Sequence, residues 1–318
     1  MTVWMQKLAE IMPAERIKWQ EPMSRHTTFA IGGPADALVV PRTEEELARV
    51  IAFCHDERVP RLVIGQGSNL LVQDGGFRGV VIKIDRQLGQ TEISPPLVRV
   101  GAGMPLSELA HLAAENSLSG LEFAVGIPGS LGGAVVMNAG AYDGEMKELV
   151  TAVRVMDEQG KIEERPGSKL NFGYRSSALL GSGLVVVSAV LELVPGNREE
   201  IEAKMNDFTE RRQLRQPLEL PSAGSIFRRP PGRFVGPMIE ELGLKGFSVN
   251  DAQVSEKHAG FIVNRGKAKA RDVLELIAVI KQVVKDRYGI ELELEIQVVG
   301  EELDFNKKVY ASTIKWRK

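Results

Sequence analysis

Apolar residues recur along the chain at two spacings, and the switches between them divide it into small units. Residues 1–20 read as an irregular or weakly helical arm, with Trp4, Leu8, Ile11 and Trp19 available to anchor it. A short apolar run at 37–40 predicts a strand. Thr43 and Glu46 then stand at capping-box spacing, and Leu47, Val50, Ile51 and Cys54 form the apolar stripe of a helix. Runs at 61–64 and 80–84 predict two further strands, which gives a β-α-β-loop-β unit of α/β type. Downstream, 97–101 predicts a strand, and Pro105 opens a helix carrying Leu106, Leu109, Leu112 and Ala113 at helical spacing. Strands follow over 152–157 and 184–194, the second a long β-branched run suited to a core strand.

Gly196-Asn197 marks a domain boundary. Residues 198–216 are highly charged but place Ile201, Met205 and Phe208 at helical spacing, as expected of a surface helix leading into a last domain. A proline-bracketed loop (217–231), a short helix (237–242) stopped at Gly243, a strand (258–263) and a helix (270–288) follow. The last of these carries Val273, Leu274, Ile277, Ile280 and Val284 on one side. Along 290–298, Ile290, Leu292, Leu294, Ile296 and Val298 share one face of a predicted strand, while Glu291, Glu293 and Glu295 share the other. Alternation alone makes that second face wet and acidic. The tail from Phe305 is basic and expected to be loosely held. The units fall at 1–85, 86–196 and 197–302, with a tail at 303–318.

One stretch departs from these patterns. Residues 123–142 contain Gly126, Gly129, Gly132, Gly133 and Gly140 among Val, Leu, Ile, Met and Phe, with no charged side chain. A flexible linker this rich in glycine would be polar. Apolar residues call for burial and glycine for close backbone approach, so the stretch reads either as a tightly packed turn or as a loop whose N–H groups wrap a phosphate. A second glycine turn, Gly65-Gln-Gly-Ser-Asn69, directly follows the strand at 61–64. It lacks the third glycine of a dinucleotide fingerprint and the Lys-Ser/Thr ending of a P-loop. Taken together, the two turns fit a ligand with two phosphates lying between subdomains.

Composition limits the alternatives. The net charge is −2, with no basic cluster suited to nucleic acid or an acidic membrane surface. Glycine is in excess, at 32 of 318 residues. A single cysteine, Cys54, rules out an internal disulfide, and His26, His55, His111 and His258 show no ligand spacing, so no metal site is expected. No apolar run approaches the roughly 20 residues needed to span a bilayer, and no secretory leader is expected. The expectation is a soluble, cytoplasmic protein. Ser225 stands in an Ala-Gly-Ser turn beside Arg228, Arg229 and Arg233; it is either a backbone hydrogen-bonder or a proton donor next to an anionic substrate. Arg175, in an aromatic turn, reads by default as a surface charge, and nothing local selects Glu295.

Several segments together resemble one family. Arg25-His-Thr-Thr-Phe-Ala-Ile-Gly-Gly, Gly65-Gln-Gly-Ser-Asn-Leu-Leu, Gly126-Ile-Pro-Gly-Ser-Leu-Gly-Gly-Ala-Val-Val-Met-Asn-Ala-Gly-Ala-Tyr, Pro221-Ser-Ala-Gly-Ser-Ile-Phe, Phe261-Ile-Val-Asn264 and Glu293-Leu-Glu-Ile296 are similar, in order, to the UDP-N-acetylenolpyruvoylglucosamine reductases. The resemblance runs from about residue 20 to Glu302. It implies an α+β protein with two α/β subdomains (1–85 and 86–196) holding FAD in the manner of the vanillyl-alcohol-oxidase class. A C-terminal α+β substrate domain (197–302) would complete it. It further implies non-covalent FAD with NADPH as reductant, UDP-N-acetylglucosamine enolpyruvate as substrate, a place in peptidoglycan precursor synthesis, and a monomer.

By the same resemblance Gly65, Gln66, Gly67, Ser68, Asn69 and Leu70, with Gly126, Ile127, Pro128, Gly129, Ser130, Gly132 and Gly133, would bind the FAD pyrophosphate, with Thr27, Thr28 and Asn138 nearby. Ser225 would be the general acid, and Arg175 and Glu295 would flank the enolpyruvyl carboxylate. Tyr174, Arg215 and Arg229 would be subsidiary substrate contacts. Only about 50 residues separate Arg175 from Ser225, so the chain resembles the shorter family form, without an inserted tyrosine-bearing loop. On the residues alone, two other readings remain open. One is a different flavoprotein of the same class, acting on a hydroxylated substrate. The other is a nucleotide-sugar binding module that uses the arginines at 228–233 as an anion clamp.

Overall fold

In the computed structural model, which describes residues 2–302, the N-terminal arm is ordered. Helix α1 (Val3–Ile11) buries Leu8 against α2 (Glu44–Asp56), and β1 (Ile17–Pro22) pairs antiparallel with β2 (Pro34–Val39). The sequence hid this because the arm's apolar side chains acquire a partner only when α2 presents its stripe. That stripe is as expected, with Leu47, Val50, Ile51 and Cys54 all buried. Burial pushes the Cys54 thiol up to about 12, so it behaves as a small hydrophobe. Strands β3 (Arg61–Ile64), β4 (Leu70–Val72) and β5 (Phe77–Lys83) follow, and four strands of this unit form a sheet in the order β1-β2-β5-β3. Its last two pairings are parallel.

The second unit is α+β, with an antiparallel sheet. Strands β6 (Thr91–Ser94) and β7 (Leu97–Gly101) precede α3 (Leu106–Glu115), two-residue β8 (Leu118–Ser119) and α4 (Leu131–Met137). Then come the small hairpin β9 (Gly140–Ala141) and β10 (Gly144–Glu145), and strands β11 (Val150–Met156), β12 (Ile162–Pro166) and β13 (Val185–Glu192). The sheet order is β12-β11-β13-β7-β6. Short β14 (Val194–Pro195) pairs with β8, and α5 (Arg198–Arg215) packs Ile201, Met205 and Phe208 into the core that α3 also enters. The helix expected to lead into the last domain thus lies against the second unit. The first two units share one apolar core.

The third unit is a small sheet backed by two helices. Strands β15 (Ser222–Ser225), β16 (Ser248–Val249), β17 (Ala252–Val254) and β18 (Phe261–Asn264) run in the order β15-β18-β17-β16, with α6 (Val235–Glu241) and α7 (Ala270–Tyr288) packed on them. Its core also takes in Phe29, Ile31 and Leu71 from the first unit. Two expectations are corrected here. The loop expected at 217–231 contains β15. The strand expected over 290–298 shrinks to β19 (Gln297–Val299), which pairs parallel with β4 of the first unit. Residues 293–295 instead lie against 226–228, where Arg228 N–H donates to Glu293 O and Glu295 N–H to Ile226 O. The alternation of apolar residues there was real, but a single continuous sheet did not produce it. The basic tail expected at 303–318 lies outside the described residues.

Candidate functional site

The two glycine turns meet. The turn after β3 carries Gly65, Gln66, Gly67, Ser68 and Asn69; the other runs from Gly126 through Ile127, Pro128 and Gly129 to Ser130, which precedes α4. A Cβ built on Gly65 would lie 2.2 Å from Ser130 Oγ, and one on Gly129 would lie 3.3 Å from Ser68 Oγ. Gly67 has φ +65°, and a Cβ there would strike the His26 carbonyl at 2.1 Å, so only glycine suits the position. Among the described residues, the N–H groups of Gln66, Gly67, Ser68, Asn69, Gly129 and Ser130 find no hydrogen-bond acceptor. Converging amides without acceptors, on small residues that allow close approach, make a cradle for phosphate oxygens. Gly132 does a different job: a Cβ on it would meet Ala102 Cβ at 2.9 Å, so it packs α4 against its neighbour. Gly133 is exposed, with nothing within 4 Å of such a Cβ.

Other residues expected near the cofactor brace the cradle. Thr27 Oγ1 donates to Ile31 O at 2.9 Å, and Thr28 Oγ1 to Ser222 O at 2.7 Å, so the second threonine ties the first unit to β15. Thr28 N–H also donates to Gly67 O at 3.3 Å. Leu70 begins β4 and is buried. Asn138 ends α4 in the left-handed conformation (φ +44°) that asparagine tolerates better than most residues. Its side chain is fully buried: Nδ2 donates to Glu145 Oε2 at 2.7 Å and to Gly173 O at 2.9 Å, while Oδ1 accepts from Lys147 N–H at 2.9 Å. Those bonds hold the hairpin β9–β10 and the 171–177 turn together and leave its amide no donor free for a cofactor.

Three units converge on Glu295. Arg175 Nε donates to Glu295 Oε1 at 3.0 Å, and Arg175 Nη2 donates to Gly140 O at 2.7 Å. Asn69, from the first glycine turn, donates from Nδ2 to Glu295 O at 3.1 Å. Glu295 N–H donates to Ile226 O at 2.8 Å, and Ile226 directly follows Ser225. The Glu295 side chain is 17% exposed, not wet as alternation suggested. Burial raises its pKa, while Arg175, Arg228 and Arg229 work against that shift. Ser225 ends β15 opposite Phe261, half-buried, and its hydroxyl has no hydrogen bond among the described residues. The subsidiary residues lie outward. Tyr174 is 47% exposed beneath the Arg175 guanidinium (5.1 Å), Arg229 lies 4.3 Å over the Phe234 ring, and Arg215 is exposed in the last turn of α5.

An acid whose folded pKa lies above its ordinary 4.5 binds a proton more readily when folded. Its contribution to stability is therefore greatest at low pH and declines as pH climbs from 4.5 through the raised value. Thermal denaturation across that range should show Glu295→Gln gaining on the wild-type protein as pH rises. A difference in Tm that does not vary with pH would contradict the burial described here.

Sequence reasoning missed Arg212, which lies against Gly126, and the link from Asn69 to Glu295. A basic residue on a charged helix gives no signal of the former. The latter joins positions 226 apart in the chain.

Comparison with known proteins agrees with the geometry. The FAD binding domain family matches residues 35–165, a range that spans both glycine turns, and their open amides fit the pyrophosphate of that cofactor. The family of the UDP-N-acetylenolpyruvoylglucosamine reductase C-terminal domain matches residues 216–299. The chain is 52% identical over 296 residues to the UDP-N-acetylenolpyruvoylglucosamine reductase of Syntrophomonas wolfei, covering 93% of this chain and 99% of that one. It is 49% identical to the enzyme of that name from Clostridioides difficile, covering 93% and 97%. The crystal structure of a UDP-N-acetylenolpyruvylglucosamine reductase from Thermus caldophilus superposes with a TM-score of 0.77 at 40% identity, covering 87% of this chain and 97% of that one. At this identity and coverage, the chain belongs to the UDP-N-acetylenolpyruvoylglucosamine reductase family of FAD-containing oxidoreductases.

Proposed function

We propose that this protein reduces the enolpyruvyl group of UDP-N-acetylglucosamine enolpyruvate to the lactyl ether of UDP-N-acetylmuramate, with NADPH as the reductant. The observation that carries this reading is the convergence on Glu295. One short segment is bonded to the cofactor turn through Asn69, to the second unit through Arg175, and to the residue beside Ser225. A cofactor turn, a cation and a free hydroxyl therefore share one support.

When bound, FAD would supply the hydride chemistry between NADPH and C3 of the enolpyruvyl group, and the amides of 66–69 and 129–130 would hold its pyrophosphate. Arg175 meets the substrate carboxylate and stabilises the enolate charge that builds on that side as C3 gains hydride. Glu295 fixes the Arg175 guanidinium through its 3.0 Å hydrogen bond, so the cation is oriented before substrate arrives. The Ser225 hydroxyl, with no hydrogen-bond partner among the described residues, donates its proton to C2. Arg229 and Arg215 face the diphosphate, and Tyr174 backs Arg175. Domain roles follow: residues 1–196 chiefly hold cofactor, and residues from 197 to 302 chiefly hold substrate.

The visible spectrum of the purified, FAD-loaded protein tests the scheme. NADPH alone should bleach the flavin bands without oxygen, and UDP-N-acetylglucosamine enolpyruvate should then restore them. Flavin that NADPH leaves oxidised, or that stays reduced when the enolpyruvyl compound is added, overturns it.

A further inference from the structure

Beside the glycine cradle stands a cation with no counter-charge among the described residues. Arg212 lies in the last turn of α5, and Gly126 is pressed against it. A Cβ added at Gly126 would sit 2.7 Å from Arg212 Cδ, 3.5 Å from Nε and 3.8 Å from Nη1. Other arginines of the same helix are engaged, Arg198 with Glu202 and Arg211 with Asp207. Among the described residues Arg212 has neither an ion pair nor a side-chain hydrogen bond. Its titratable neighbour is Tyr142, whose ring stacks on Phe208 at 4.4 Å and whose hydroxyl donates to Phe208 O at 3.1 Å. Burial pulls the guanidinium pKa below its ordinary value, and no carboxylate among the described residues restores it.

An arginine stays protonated at any physiological pH, and its five N–H donors are costly to leave half-buried without acceptors. Such a group is explained when a ligand brings the missing anion. The neighbours of Arg212 belong to both ends of the site. Gly126 opens the second glycine turn, and Tyr142 is in the hairpin whose Gly140 carbonyl accepts from Arg175.

We infer that Arg212 is the counter-charge for bound FAD, its guanidinium pairing with an anionic part of the cofactor that lies along Gly126. This rests on the FAD-binding character of the family and not on the substrate reaction proposed above. It also gives Gly126 a reason to be glycine, because any side chain there would displace the arginine. FAD has two parts that qualify. The pyrophosphate is negative in both redox states, whereas the N1–O2 edge of the ring becomes negative only on reduction.

The test uses full-length apoprotein reloaded with FAD, as wild type, as the neutral variants Arg212→Gln and Arg212→Met, and as Arg212→Lys. Kd for oxidised FAD is read by flavin fluorescence and the midpoint potential by spectroscopic titration. If the partner is the pyrophosphate, both neutral variants raise Kd by about tenfold to a hundredfold, the size of a lost charge-assisted contact, and Lys recovers most of it. If the partner is the ring edge, Kd for oxidised FAD holds while the midpoint potential of both neutral variants becomes more negative. Either result supports the inference. It is overturned if neither quantity moves, if only the affinity for UDP-N-acetylglucosamine falls, or if FAD loss follows a lowered apoprotein Tm that Lys does not rescue.

Discussion

Replacing Ser225 with alanine should leave reduction of the flavin by NADPH untouched and slow its reoxidation by the enolpyruvyl substrate by about 10²–10⁴-fold, the usual worth of a positioned acid. The asymmetry follows from what surrounds the hydroxyl. Ser225 terminates β15, and the next residue is gripped from both sides: Ile226 N–H donates to Gly260 O at 3.0 Å and Ile226 O accepts from Glu295 N–H. The backbone stays in place when Oγ is removed, because no hydrogen bond among the described residues depends on that oxygen. Gly224, just before it, has φ +78°, a conformation that suits glycine and ends the regular strand at the hydroxyl. Stopped-flow spectroscopy separates the two half-reactions. Equal slowing of both would mean that Ser225 shapes the flavin site and moves no proton.

The second large effect is expected from Gly133→Val, which should abolish FAD retention while leaving the apoprotein folded. Valine is no worse a helix former than glycine, and at this exposed place on α4 it meets no neighbour. Gly132→Val makes the contrast, since its side chain would run into Ala102 and unfold the packing of α4 before the cofactor is considered. Flavin content per chain, set beside the Tm of each apoprotein, distinguishes the two. A Gly133→Val protein that retains a full complement of FAD would remove the first turn of α4 from the cofactor's boundary.

Local chemistry was legible where one segment supplies both pattern and purpose. The α2 stripe, the α3 start at Pro105, α7 and both glycine turns follow from spacing and residue type, and the structure brings the turns face to face. What spacing could not convey is which distant segment completes each one. The arm at 1–20 became a helix and an edge strand only because α2 and β2 offer it surfaces. Glu295 looked like one more residue of an acidic face; its burial depends on Arg175, 120 positions away, and on the 226–228 backbone. The family resemblance singled out Ser225, Arg175 and Glu295. It also placed Asn138 near the cofactor, a side chain whose amide donors bond within the protein, and it did not name Arg212. Both follow from the same limit, because a side chain's hydrogen-bond partners are a property of the assembled chain.

The return of β19 to β4 has a bearing on how the protein is made. Asn69 emerges early in translation, but the carbonyl its side chain holds belongs to a residue 226 positions later, and β4 meets its strand partner only with Gln297. At about 5–20 residues per second, the ribosome takes roughly 11 to 45 seconds to cover that interval. Throughout it the first glycine turn is present but unbraced on one edge. The bracing of that turn is thus among the last contacts the chain can form as it is made.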